Sequence, residues 1–322
     1  MKDLLSLARV GAQTMASMVL EPNAFPKRSF SSEYTRRLAS TLLDEAVSQD
    51  DNWLRRKQRL LSMKGPALLK VDTEHEVIGD VPCLRVKPKG SKKCARKVLY
   101  FHGGGYVVGS ARSYHYTYAK LALALNAEVV GLDYSLAPEH SVANIIDEGL
   151  RVYDLIQSIE RPEQVLLAGD SAGGGAAIAL TRALMSRGAI PSNLYCLLIS
   201  PWVDPVDPSC LDASKAEGDL LNVGILKKWH AAVAKDEGYE TLVRFVACDW
   251  AGFPPTIVQA GGAEMFLPQI ETLVSDMTAA GVKVHYDVFP DQFHVFQTLA
   301  PLVSEADEAW NNLAASVRAM EH

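Results

Sequence analysis

The chain carries Gly169-Asp170-Ser171-Ala172-Gly173, a G-x-S-x-G pattern, between an apolar run (Val165, Leu166, Leu167, Ala168) and a stretch of small residues from Gly174 to Ala177. The apolar run reads as a buried strand and the small-residue stretch as a closely packed helix. Strand must therefore pass into helix through one sharp turn, with Ser171 at its apex. Such a turn strains the serine backbone and points the hydroxyl outward. The flanking glycines answer the same constraint, because a Cβ there would collide with the neighbouring strand and helix. A serine so presented can attack a carbonyl if a base and an anion-binding cradle stand beside it. The pattern also arises where a helix merely packs on a sheet, so the rest of the chain must decide.

A second run supplies the cradle. Lys97-Val98-Leu99-Tyr100-Phe101 reads as a strand that enters His102-Gly103-Gly104-Gly105-Tyr106. Consecutive glycines leave the main chain free to aim N–H groups at one point, where the oxygen of a tetrahedral intermediate would sit. The candidate donors are Gly103, Gly104, Gly105 and Ala172, the residue after the serine. Gly104 and Gly105 are the expected glycine donors and Gly103 the turn-former, although spacing alone leaves the inward-pointing pair open. Asp170 is expected to be structural, holding the elbow and the neighbouring loop.

With Asp133-Tyr134-Ser135-Leu136-Ala137-Pro138-Glu139-His140 between them, these motifs resemble the hormone-sensitive-lipase-like branch of the α/β-hydrolases, also called bacterial esterase family IV. The resemblance runs from about residue 70 to the end. It departs from the family at Ser135, usually Arg, and at Ser141-Val142-Ala143-Asn144, usually Pro-rich. It implies an α/β-hydrolase fold, a mostly parallel central sheet flanked by helices with a helical cap. In that family the triad follows in the order serine, acid, histidine. The resemblance places the histidine at His294, after the strand-like Val282 to Phe289, and the acid at Glu264, after Ile257-Val258-Gln259-Ala260. Here Glu stands where Asp is usual. His285 is read as a surface strand residue, Asp291 as badly placed on the histidine's own loop, and Asp276 as a solvated helix residue.

The implied activity is a serine carboxylesterase for short- to medium-chain esters, working through an acyl-enzyme. A lactone hydrolase or deacetylase would use the same triad. A more distant alternative is a small-ligand receptor of the same fold that does no chemistry. No metal or cofactor is called for, and the expected partner is a small-molecule ester. The resemblance also suggests a homodimer through the last strand, near Val284 to Phe289.

The bulk numbers agree with such a chain. At 322 residues it can hold one large domain with a lid, or two domains. A net charge of −6 with no basic patch excludes nucleic acid as the expected partner. The runs Arg55-Arg56-Lys57 and Lys92-Lys93 are read as solvated surface. Five scattered cysteines form no C-x-x-C pair, which fits a reducing cytoplasm better than a disulfide framework or zinc site. No run reaches transmembrane length, so stable membrane insertion is not expected.

Along the chain, 1–65 reads as N-terminal cap helices, 66–200 as the first part of the hydrolase core, 201–254 as a cap insertion and 255–322 as the rest of the core. The first helix is expected to bury Leu4, Leu7, Ala8, Gly11, Met15, Met18 and Val19, with Glu21-Pro22-Asn23 as its stop. Arg9 and Gln13 interrupt any signal-peptide reading. Strands are expected at 68–71, 83–86, 98–101, 128–132, 165–168, 194–199, 256–259 and 282–288, and helices at 114–125, 145–156 and 222–234. The early strands, joined without helices, suggest an antiparallel start. Met15, Met18, Leu220, Leu221 and Trp229 are candidates for the acyl or alcohol pocket.

Overall fold

Among the described residues eight strands form one sheet: β1 (Val71–Ile78), β2 (Val81–Pro88), β3 (Arg96–Phe101), β4 (Ala127–Leu132), β5 (Gln164–Asp170), β6 (Leu194–Ile199), β7 (Thr256–Gly261) and β8 (Val284–Phe289), in the order β1-β2-β4-β3-β5-β6-β7-β8. The computed structural model describes residues 2–320 apart from Pro22, Asn23, Leu61, Ala189, Pro208, Cys210, Asp236, Glu237 and Ala247. Two of the three residues expected to stop the first helix, Pro22 and Asn23, lie outside that set. The β1–β2 and β2–β4 pairs are antiparallel and the rest parallel, which gives the expected antiparallel start. Every residue of β4 and β7 is buried, and so is all of β3 and β5 after the first residue. Covered on both faces, these strands read as largely apolar runs, and that made them legible.

Among the described residues ten α-helices accompany the sheet: α1 (Lys2–Leu20), α2 (Phe30–Val47), α3 (Asp51–Leu60), α4 (His115–Leu125), α5 (Val142–Leu155), α6 (Ala172–Ser186), α7 (Val223–Val233), α8 (Tyr239–Val243), α9 (Leu267–Ala279) and α10 (Ala306–Met320). The unusual Ser141–Asn144 stretch is a capping box. The Ser141 hydroxyl accepts from Asn144 N (3.1 Å), and the Asn144 side chain accepts from Ser141 N (3.1 Å). The cap starts α5 three residues earlier than its apolar spacing suggests. Asn222 likewise caps α7, accepting from Ile225 N at 2.7 Å.

Three expectations are corrected. The first strand begins at Val71, where it was expected to end, and Pro66–Lys70 is a 3-10 turn. Residues 72–77 are all exposed, so an apolar-run criterion misses this edge strand, whose charges also guard a sheet edge. Helix α1 turns Val10 and Thr14 inward, not the expected stripe: Leu4, Ala8, Met15 and Val19 are exposed. Gly11 explains the choice of face, since its bare Cα admits Tyr34, whose hydroxyl would stand 3.0 Å from any Cβ there. Of the basic run on α3, Arg56 is exposed as expected, but Arg55 and Lys57 are not solvated. Arg55 donates to Val107 O (2.8 Å), Ala137 O (2.9 Å) and the Glu139 carboxylate (2.8 and 2.9 Å). Lys57 is buried, paired with Asp3 at 3.1 Å and lying over the Trp53 ring.

Helix α2 is anchored by a buried charge cluster. Glu33 accepts from Arg28 (2.7 Å), Arg36 (2.8 and 3.0 Å) and Arg37 (2.6 Å). Burial alone would raise the Glu33 pKa, but these hydrogen bonds outweigh it and hold the carboxyl at about 2. The folded-state value is depressed, so its stabilisation is present above the ordinary value of 4.5 and lost as pH falls towards 2. Glu33→Gln leaves buried guanidinium groups uncompensated and is expected to cost about 3–5 kcal/mol at neutral pH. Urea unfolding should also show a flatter loss of stability below pH 4.5 than in the wild type. Unchanged midpoints at neutral pH would contradict the assignment.

Candidate active site

Four of the parallel strands deliver polar groups beyond their C-terminal ends, where open α/β sheets build their sites. Ser171 follows β5 directly, at φ 54° and ψ −125°, and α6 begins at the next residue. Its main chain is held on both sides, with Ser171 N donating to Ile199 O (2.9 Å) and Trp202 N donating to Ser171 O (2.9 Å). A Cβ at Gly169 would sit 2.3 Å from Gly173 O, and one at Gly173 would sit 2.1 Å from Phe101 O. Both positions therefore exclude any side chain, as the pattern demands.

His294 lies in the loop after β8, with its ring edge-on to Phe266 (centroids 4.7 Å apart). Glu264 lies beyond β7, fully buried, and its Oε2 faces His294 Nδ1 at 3.5 Å. The same oxygen accepts from Ser200 Oγ at 2.6 Å. Burial raises the Glu264 pKa, and the neighbouring His294 opposes that rise. His294 Nε2 has no partner among the described residues. Ser171 and His294 line one cavity, while Glu264 stands behind the imidazole, outside the lining. The competing groups are elsewhere: His285 pairs with Asp287 on β8 (3.2 Å), Asp291 accepts from Lys27 N (2.6 Å), and Asp276 is half-buried on α9.

The glycine run divides by role. Gly103 N donates to Asp170 Oδ1 (3.0 Å) and to the Tyr114 hydroxyl (3.1 Å). Gly103 is thus corrected as a candidate oxyanion donor, since its N–H is already engaged by these two groups. Gly104 (φ 121°) lines the cavity, and Gly105 (φ 62°) follows it under the Trp229 ring. Among the described residues, Gly104 N, Gly105 N and Ala172 N donate to no other group. Asp170 also accepts from Tyr100 (2.9 Å) and Tyr114 (2.8 Å), and burial pushes its carboxyl up to about 6 despite these donors. It ties the elbow to the glycine loop, the structural part expected of it. His102 is stacked on Tyr134 (centroids 4.1 Å apart), and burial lowers its pKa to about 4, which keeps it neutral.

The cavity holds about 230 Å³. Leu38 and Leu42 of α2, Leu54 of α3, and Leu220, Leu221 and Trp229 form its apolar walls. Met15 is exposed and neither it nor Met18 reaches the lining, a consequence of the face that α1 buries. Two partners went unread in the sequence. Ser200 sits at the C-terminal end of an apolar strand, a position that could have flagged it. Asp219, buried between Gly218 and Leu220, carries no such signal.

A family model described as alpha/beta hydrolase fold matches residues 98–298. An acetyl-hydrolase of Streptomyces hygroscopicus is 31% identical over 235 residues, 71% of this chain and 77% of that protein. The carboxylesterase/phospholipase LipF of Mycobacterium tuberculosis is 31% identical over 232 residues, 69% of this chain and 62% of that protein. Among solved structures, an esterase from the bacterial hormone-sensitive lipase family matches with a TM-score of 0.79 at 27% identity, covering 88% of this chain and 97% of that one.

Proposed function

This chain belongs to the α/β-hydrolase family, in its hormone-sensitive-lipase-like branch of ester hydrolases, and we propose that it is a serine carboxylesterase for short- to medium-chain esters. The observation that carries this reading is the opening of Ser171 and His294 onto one apolar cavity, with the buried Glu264 carboxylate behind the imidazole. His294 Nε2 takes the proton of Ser171 as Oγ attacks the ester carbonyl. Glu264 holds the Nδ1–H tautomer and stabilises the imidazolium. Gly104, Gly105 and Ala172 donate to the oxyanion. The imidazolium returns its proton to the departing alkoxide, and the acyl-enzyme forms. Water, deprotonated by His294, then releases the acid. Acetyl-hydrolase is the name of one relative, so acetyl esters stand among the candidate substrates.

The size of the cavity supports the chain-length limit, being below the roughly 300–1,000 Å³ of pockets that hold drug-sized ligands. Trp229 sets one wall, with its ring so close that a Cβ on Gly105 would lie 2.3 Å from it. A series of p-nitrophenyl esters from acetate to palmitate tests the reading. Acetate to hexanoate should be turned over well and palmitate poorly. Trp229→Ala should raise the hexanoate-to-acetate ratio of kcat/KM by about tenfold, the scale on which pocket contacts discriminate methylenes. A wild-type preference for palmitate would overturn the short-chain assignment.

A further inference from the structure

Residues 211–221 run along the loop that carries Glu264. Asp212 N donates to Met265 O (3.0 Å), and Lys215 Nζ donates to Gly262 O (2.8 Å). Near its end lies Asp219, whose buried carboxylate accepts three main-chain N–H groups. Leu220 N (2.7 Å) and His294 N (2.9 Å) share Oδ1, and Met265 N (2.8 Å) takes Oδ2. One side chain thereby grips the residue after the buried carboxylate and the residue that bears the imidazole. The main chain of this run is held in turn from the N-terminal region, with Arg28 donating to Gly218 O (2.9 Å) and Arg36 to Asp219 O (2.8 Å).

We propose that Asp219 is a positioning residue, which sets the spacing between Glu264 and His294 and makes the 211–221 segment part of the reacting apparatus. The inference rests on the esterase reading above. Nδ1 and Oε2 stand 3.5 Å apart with no hydrogen bond formed between them, so a small displacement of either loop decides whether one can form. Hydrogen bonds to a charged acceptor are the stronger kind, which suits a clamp on two loops. Asp219 lies outside the cavity lining, so its loss should act on kcat more than on KM, which changes only as far as the wall residue Leu220 shifts.

Asp219→Ala removes all three contacts and should lower kcat about a hundredfold, the scale reported for a misplacement of about 1 Å. Asp219→Asn keeps the shape but sets an amide donor against one N–H, and should lower kcat about tenfold by the same reasoning. The proton resonance of His294 Nδ1–H, expected far downfield in the wild type, should move in both variants. Exposed Glu217→Gln, two residues away, should change neither reading. Asp219→Asn is the decisive variant if Asp219→Ala does not fold. Wild-type kcat with an unmoved resonance overturns the proposal, and so does failure of Asp219→Asn to fold, which would make the contact purely structural. Ser171→Ala measured in the same assay separates the two claims, because full activity there sinks the esterase reading instead.

Discussion

Ser171→Ala is expected to leave the fold intact and to lower kcat at least about a thousandfold, or roughly 4 kcal/mol of transition-state stabilisation. The loss follows from what the variant keeps. The glycine loop, the apolar cavity and His294 all remain, so binding persists and only the attacking atom is gone. KM should therefore stay near its wild-type value. Alanine inherits the left-handed backbone at φ 54°, so the variant relieves no strain, and its melting temperature should match the wild type. Near-normal turnover with p-nitrophenyl butyrate would exclude this serine as the nucleophile.

Glu264→Gln should be nearly as damaging, with kcat falling by about three to four orders of magnitude. In the wild type one carboxylate oxygen accepts from Ser200 Oγ and faces His294 Nδ1 at 3.5 Å. An amide oxygen in that place brings no negative charge to stabilise the imidazolium, and the amide can also turn its NH2 towards the ring. Facing the imidazole, that NH2 would stabilise the tautomer with its proton on Nε2, which cannot receive the proton of Ser171. Asp276→Asn on half-buried α9 is the control and should retain activity. Loss of activity there, with Glu264→Gln unaffected, would move the acid to Asp276.

These residues were not equally legible. Ser171 was written in the chain because the elbow forbids side chains at Gly169 and Gly173, so its steric need is also a sequence pattern. The central parallel strands were legible because burial on both faces makes them largely apolar, whereas β1, at the edge, is polar and was displaced. The division of labour among Gly103, Gly104 and Gly105 was not legible, since three identical residues differ only in where the main chain turns each N–H. Arg55 and Lys57 misled because their charges suggest water, although their partners lie on segments distant in sequence. Asp219 was invisible for the same reason. Its partners Met265 and His294 are 46 and 75 residues away, and the bonds run to main-chain N–H groups that no side-chain pattern records.

Covalent trapping tests the central claim most directly. The protein is incubated with diethyl p-nitrophenyl phosphate, and the adduct is located by intact-mass and peptide mass spectrometry. The expected result is a single diethylphosphoryl group on Ser171, formed with stoichiometric release of p-nitrophenolate and greatly slowed in His294→Ala. Phosphorylation at another residue, or undiminished ester hydrolysis by a fully labelled protein, would contradict it.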